Sequence, residues 1–487
     1  MASRGSDSVI QEHSRQRART KIVATVGPAC GSQEMLERLA ANGADVFRIN
    51  MAHGTREEHQ RIVDTVREIS QRTRPLGILV DLAGPKIRLG ELASEPLVCN
   101  TDDELRFVRS ETATAANELV SNYDRLIDEL REGDTVMLAD GTVSLVVTQC
   151  QKDVITCRVT NAGEIRSRQG VNLPGAAVSL PAITDRDIDN ARWAAQCQAD
   201  FVSLSFVRKP QEIDQLRSLL RECDWEPLII AKIEKREAVD DLEAIAKAAD
   251  GVMVARGDLG VEIDVADVPV VQKSVIATCN RLQIPVIVAT QMLDSMQRNP
   301  RPTRAEVTDV ANAILDGADA CMLSGETAVG TYPALVVQLM NRIMLQTEPI
   351  LAERPIARPQ SYEGGVVHPV TRSVVYGAAQ IAERLTAKLV VVVTRSGATS
   401  IAKSSQRDFV PCVAVSDSEK VMRQATLLWG VSPLRGAPIG DQMELCQFID
   451  QWGIADQTLR SGDRYVVVTG TGVAPGAHNL VVVHDVP

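Results

Sequence analysis

Aromatic side chains are scarce: Phe, Trp and Tyr make up 3% of the 487 residues, so stacking platforms for bases or sugars are hard to assemble. Excess positive charge is missing too. The net charge is −11 and the pI about 5.3. That argues against a nucleic-acid partner, which needs a broad basic face, but allows a local cationic pocket for an anionic substrate. The ten cysteines (30, 99, 150, 157, 197, 223, 279, 321, 412 and 446) form no C-x-x-C pair, and most lie in apolar runs. They read as buried thiols of a reducing, cytoplasmic protein. No stretch of about eighteen uncharged apolar residues occurs, so neither a membrane span nor a membrane partner is expected. Residues 1–19 lack an apolar signal core and carry Asp7 and Glu12 among their arginines, which predicts a flexible tail rather than a targeting segment.

The chain does have a rhythm. From Lys21 onward, short apolar runs rich in Val and Ile alternate with amphipathic stretches, and eight such runs can be counted through "DACMLSG". Thr55 and Glu58 form a T-x-x-E capping signal before one of the helices. Near-continuous apolar strands alternating with helices imply a parallel sheet covered on both faces, and eight units imply a (β/α)8 TIM barrel. The rhythm breaks once, between "DLAGPKIR" and "DFVSLSFV". The insert alternates apolar and polar residues, with an Asp140-Gly141 turn, and predicts a small β-barrel lid domain. A Pro-rich connector after Glu348 leads to a C-terminal α/β domain built on "KLVVVVTRSG", "FVPCVAVS" and "RYVVVTGTG". The expected domains are the tail 1–19, a barrel of 20–86 and 176–350, a lid of 87–175 and a last domain of 351–487.

A barrel of this kind carries its chemistry at the C-terminal strand ends. There the sequence offers Arg48, Asn50 and His53, then Asp81, Lys86 and Arg88. Further strands give Ser205 and Arg208, Lys232 and Glu234, Arg256 and Asp258, Thr290, and Ser324 with Glu326. Glu234 and Asp258 suit Mg2+, which takes one or two protein carboxylates and leaves room for water and substrate oxygens. Lys232, Arg48 and Arg88 supply cations for the charge on a phosphoryl group in transfer, and Thr290 and Ser324 could relay a proton. Singly, each residue has a plainer reading. Asp258 could be a helix cap, Thr290 a turn residue, and "KIEKRE" a solvated charge run. The one-sided clustering carries the functional reading.

Ten stretches, among them "FRINMAHG", "DLAGPKIR", "AKIEKREAV", "VMVARGDLGVEI" and "MLSGETAVG", closely resemble the pyruvate kinases in order and spacing. The resemblance implies phosphoryl transfer from phosphoenolpyruvate to ADP, giving pyruvate and ATP, in a homotetramer. It implies that Lys232 stabilises charge on the phosphoryl group and enolate. Glu234 and Asp258 would hold Mg2+ (or Mn2+), Arg48 and Arg88 would touch phosphoryl oxygens, and Thr290 and Ser324 would help protonate the enolate. The amides at Gly257 and Asp258, with Ser205 beside them, would receive the substrate. Asn50 and His53 would face the nucleotide. Many family members bind K+ through an Asn, a Ser, an Asp and a Thr carbonyl, and have Glu where Lys86 stands. Here Asn50 and Asp81 remain, but Ala52 and Leu82 replace the other two. The expectation is a vestigial monovalent-cation site, with Lys86 as a built-in cation and no need for K+. In the last domain, Thr394, Ser396, Gly397, Thr399 and Ser400 resemble the loop that binds a phosphorylated effector, with Thr469 to Gly476 as its other wall. Two alternatives are a metal-dependent barrel lyase that forms a pyruvate enolate and a non-catalytic sugar-phosphate sensor.

Overall fold

Eight parallel strands close into a barrel in the computed structural model, which describes residues 17–176, 179–353, 367–470 and 480–487. Numbered along the whole chain, these strands are β1 (Lys21–Thr25), β2 (Ala44–Asn50), β3 (Gly77–Asp81), β12 (Phe201–Leu204), β13 (Leu228–Ile233), β14 (Gly251–Ala255), β15 (Val286–Ala289) and β16 (Ala320–Leu323). Nearly every residue in them is buried, as strands covered on both faces require. The expected capping box forms: the Thr55 hydroxyl accepts from the Glu58 amide, and Glu58 accepts from the Thr55 amide at the head of helix Arg56–Arg72.

The barrel floor has an internal repeat that the sequence reading missed. Every second strand is entered through an Ala-Asp pair: Ala44-Asp45, Ala199-Asp200, Ala249-Asp250 and Ala318-Asp319. Each Asp Oδ2 accepts the amide of the strand before it. Ile22 donates to Asp45 (3.1 Å), Ile78 to Asp200, Ile229 to Asp250 and Val286 to Asp319, the last three at 2.9 Å. Each carboxylate also holds arginine. Arg17 and Arg74 serve Asp45, Arg67 and Arg423 serve Asp200, Arg217 serves Asp250 and Arg407 serves Asp319. A buried strand-edge amide needs a partner, and a buried carboxylate needs a cation; one short motif meets both needs.

The insert after β3 is a six-stranded sheet with a two-stranded ladder beside it. The ladder pairs β4 (Leu97–Cys99) with β10 (Gly163–Ile165). The sheet holds β5 (Glu104–Val108), β6 (Glu118–Leu119), β7 (Thr135–Leu138), β8 (Val143–Cys150), β9 (Val154–Asn161) and β11 (Val171–Asn172), in the order 11-7-8-9-5-6. The expected closed barrel is only sewn together. Arg88 and Leu89 make single bridges to Gly170 and Ser121, beside the two edge strands. The β7–β8 turn has Ala139, Asp140 and Gly141 all at positive φ. A Cβ added at Gly141 would lie 3.6 Å from Val261, so the hairpin tip packs on the barrel helix Arg256–Glu262.

The last domain has five strands in the order 19-18-17-20-21, where β17 is Leu389–Val393, β18 Cys412–Val415, β19 Val431–Pro433, β20 Arg464–Thr469 and β21 Leu480–Asp485. The final strand runs antiparallel to β20. β19 and β21 were not anticipated. Residues 17–19, expected within the tail, are tied down: the Arg17 guanidinium pairs with Asp45, the Ala18 amide donates to Asn341 Oδ1, and the Arg19 guanidinium lies over Phe409 and Trp429. Residues 1–16, the connector 354–366 and 471–479 lie outside the described residues. All ten cysteines are free, and burial pushes thiols such as Cys30 up to about 11. Among the described residues no helix is long and apolar enough to cross a membrane.

Candidate active site

The C-terminal strand ends converge on a buried ionic knot. Arg48, at the end of β2, donates through Nε (2.8 Å) and Nη2 (2.5 Å) to Asp81 Oδ2, and through Nη1 to Thr25 Oγ1 (3.0 Å). Ser203 Oγ donates to Asp81 Oδ1 (2.6 Å). Lys232 Nζ donates to Ser205 Oγ (2.9 Å) and lies 2.9 Å from Glu234 Oε1 and 3.5 Å from Asp81 Oδ1. Burial alone would raise the Asp81 carboxyl, but Lys232 and Arg48 outweigh it and hold it below the ordinary range. Burial would likewise neutralise Lys232, yet Asp81 and Glu234 keep its ammonium above its usual value. Glu234 goes the other way: burial lifts its carboxyl, and Lys232 only partly offsets this.

Two short-range features shape the rim. Gly84 has φ +68°, and a Cβ there would come within 2.9 Å of Ser205 and Phe206, so "DLAGPK" can cross this strand end only with glycine. Thr290 is β-branched and yet has φ +70°. Its hydroxyl holds it there, accepting from the Gly257 amide (2.9 Å) and donating to the Ala289 carbonyl (2.7 Å). Backbone strain of this kind costs about 1–3 kcal/mol and clusters at functional sites.

The knot gathers Arg48, Asp81, Ser205, Lys232 and Glu234, with Asp258 close enough to shift the charge balance of Lys232 and Glu234. Other expected residues stand differently. Lys86 pairs with Asp258 Oδ1 (3.3 Å), whereas Asp81 is neutralised from within by Arg48 and Lys232. The Lys86 ammonium, expected at or near the monovalent-cation site, thus has Asp258 as its ion-pair partner. Arg88 donates to the Arg168 carbonyl, part of the insert. His53 is exposed, and its carbonyl accepts from His59 Nε2 (2.9 Å). The Gly257 amide is committed to Thr290, and Ser324 Oγ is buried with no hydrogen-bond partner. Glu326 is a brace, accepting from the Leu293 and Ser324 amides. Thr25 and Ser203 were missed. Both are hydroxyls at the ends of apolar strands, and that would have flagged them.

The donor set fits a divalent cation. Glu234 Oε1 is buried and makes no hydrogen bond despite its ion pair with Lys232, and Asp258 borders the rim. No group of three or more His, Cys, Asp or Glu side chains that could hold a metal occurs among the described residues, so the remaining ligands would be substrate and water oxygens. The oxygens expected at the monovalent-cation site already accept hydrogen bonds. Asn50 Oδ1 accepts from the Ala52 amide, the Leu82 carbonyl accepts from Ser205 Oγ (2.7 Å), and both Asp81 oxygens are taken.

In the last domain, Thr394 Oγ1 accepts from the Gly397 amide (2.9 Å), and Gly397 adopts φ +89° before helix Ala398–Ser405. Thr394, Thr399 and Ser400 are buried, and Ser396 is exposed. The other expected wall lies mostly outside the described residues.

Comparison with known proteins places this geometry. The family model "Pyruvate kinase, barrel domain" matches residues 17–337, and "Pyruvate kinase, alpha/beta domain" matches 372–484. A pyruvate kinase of Staphylococcus epidermidis is 39% identical over 96% of this chain and 80% of its own length. Pyruvate kinase 2 of a Synechocystis species is 41% identical over 96% and 79%. A crystal structure of a pyruvate kinase from Cryptosporidium parvum aligns with TM-score 0.89 and 33% identity over 98% of this chain and 97% of that one. With one family model matched along the closed barrel that carries this ionic knot and the other along the last domain, the chain belongs to the pyruvate kinase family.

Proposed function

We propose that this enzyme transfers the phosphoryl group of phosphoenolpyruvate to ADP with Mg2+ (or Mn2+) and without K+, in the cytoplasm and as a homotetramer. The observation that carries the reading is the Lys232 ammonium, kept charged at the centre of the knot by Asp81 and Glu234. A fixed cation in a water-poor site lowers the cost of charge on equatorial phosphoryl oxygens and on the enolate left behind. Arg48, held at three hydrogen bonds, adds a second cation that needs no reorganisation. Glu234 and Asp258 would hold the divalent cation, which would supply charge neutralisation to the phosphates. Thr290 and Ser324 stand on neighbouring strand ends for enolate protonation, and Ser324 has the uncommitted hydroxyl. Gly257, Asp258 and Ser205 line the proposed substrate side, and Asn50 and His53 the nucleotide side. Membership in the family sets aside the lyase and sensor readings.

The insert, taken as 87–175, would act as a lid on the barrel of 20–86 and 176–350. Closure would bring Arg88 to the phosphates and exclude water. The domain of 351–487 would take a phosphorylated metabolite at Thr394–Ser400. The K+ reading rests on the Asn50, Leu82 and Asp81 oxygens already engaged in hydrogen bonds, on Ala52 and Leu82, whose side chains offer no oxygen, and on Lys86, which supplies positive charge at the mouth. Its test is steady-state turnover in buffer whose only added monovalent cation is tetramethylammonium. Near-maximal activity is expected there, and a tenfold or larger rise on adding K+ would refute it.

A further inference from the structure

Two of the four floor sockets take an arginine from outside the barrel, Asp200 in addition to its own barrel arginine, Arg67. Arg423, on helix Glu419–Gln424 of the last domain, donates through Nε to Asp200 Oδ1 (2.7 Å). Arg407, just past helix Ala398–Ser405, pairs through Nη2 with Asp319 Oδ1 (3.0 Å). Asp45 and Asp250 take their arginines from residues 17, 74 and 217, none of them in that domain. Asp200 and Asp319 enter β12 and β16, which stand four places apart in a ring of eight, on opposite sides of the barrel. Both carboxylates are buried, at 0% and 3% exposure, and both arginine side chains are nearly so. The last domain therefore grips the floor at two diametric points.

The gripped strands end in the active site. Asp200 to Ser203 is three residues, about 10 Å of extended chain, and Asp319 to Ser324 is five, about 17 Å. Ser203 donates to Asp81, Ser205 accepts from Lys232, and Ser324 Oγ is the unpartnered hydroxyl. Each Asp also holds the amide that starts the preceding strand, so a displaced carboxylate would move two strands: β3 with β12, and β15 with β16. Short parallel strands in a packed barrel transmit such a shift along their length, because a close-packed core does not deform continuously.

We infer that Arg407 and Arg423 are positioning residues, through which the last domain sets the height of two opposite barrel strands and so the serine hydroxyls at their C-terminal ends. The inference rests on the reading of the barrel mouth as the active site. It differs from a purely cohesive role, in which the arginines only hold two domains together.

Hydrogen exchange on the full chain with Mg2+ separates the two. Oxalate, a planar dianion shaped like the enolate of pyruvate, is the probe. Its binding is expected to slow exchange at 232–234 and also, at least threefold, in 398–406 and 419–424. In Arg407→Gln/Arg423→Gln the slowing at the two helices is expected to vanish, while Arg407→Lys/Arg423→Lys keeps at least half of it. Each single Gln variant should raise the KM for phosphoenolpyruvate at least threefold. If oxalate slows 232–234 in the wild type and leaves both helices unchanged, the inference is wrong, whether or not the Gln variants fold. It is equally overturned if the Gln variants melt earlier yet keep the oxalate response. If oxalate leaves 232–234 unchanged, the reading of the mouth falls, and this inference with it.

Discussion

At the scale of single residues, the knot is an arrangement in which every charge depends on its neighbours. Replacing Lys232 with Met removes the central cation. Loss of one such transition-state contact costs about 2.7–4 kcal/mol, so turnover should drop by about 100- to 1,000-fold. Retention of a tenth of wild-type turnover would deny Lys232 that role. The knot was legible because its acids and bases follow apolar strands. Which acid pairs with which base was not, because that depends on side-chain reach across strands: Lys86 reaches Asp258. A second buried lysine offers a test by pH. Lys21 is buried at the floor, donates to the Val431 carbonyl, and has its pKa lowered by burial to about 8. Between about 8 and the unfolded value of 10.5 the unfolded chain binds more protons than the folded one, so stability should rise with pH there. The gain is at most about 1.4 kcal/mol per pH unit. The stability of wild type relative to Lys21→Met should climb from pH 8 to 10, and a flat difference would mean that Lys21 is not buried with its charge penalised.

At the scale of elements, the barrel strands were readable because each is an unbroken apolar run bounded by helical periodicity. β19 and β21 escaped for different reasons: β19 is three residues long, and β21 pairs antiparallel in a domain whose other strands run parallel. The fourfold Ala-Asp floor was in plain view and went unread because an Asp before a strand looks like any turn residue until its partners are known. Asp45 shows what the motif is worth. It is 4% exposed and answers Arg17, Arg74 and the Ile22 amide, with the Lys21 ammonium adding its field. Asp45→Ala would leave the Ile22 amide without its acceptor and the partly buried Arg74 and buried Lys21 without their counter-charge, a loss of about 3 kcal/mol. Denaturant unfolding should report a shift of that size in the barrel transition, and a change under about 1 kcal/mol would show that water takes over the socket.

At the scale of the whole molecule, the three parts meet at the barrel: the insert at its mouth, the last domain at its floor. The proposed effector loop lies at the head of the helix that leads to Arg407, which is why a ligand there could bias the barrel. Buried Thr394, Thr399 and Ser400 make poor sites for a charge, since a carboxylate would break the domain's packing rather than compete with a ligand. Exposed Ser396 is the better probe. Ser396→Glu places a negative charge beside the amides that would receive a phosphate. Even screened by solvent, this should weaken an anionic activator by about tenfold, or about 1.4 kcal/mol, well inside the roughly 4 kcal/mol that two unit charges 4 Å apart exchange at an effective dielectric of 20. The measurement is the KM for phosphoenolpyruvate against a concentration series of sugar phosphates. Activators should act on the variant only at about tenfold higher concentration. If half-maximal activation stays where it is in the wild type, the effector binds elsewhere, and the link from this loop to the barrel floor has no ligand to drive it.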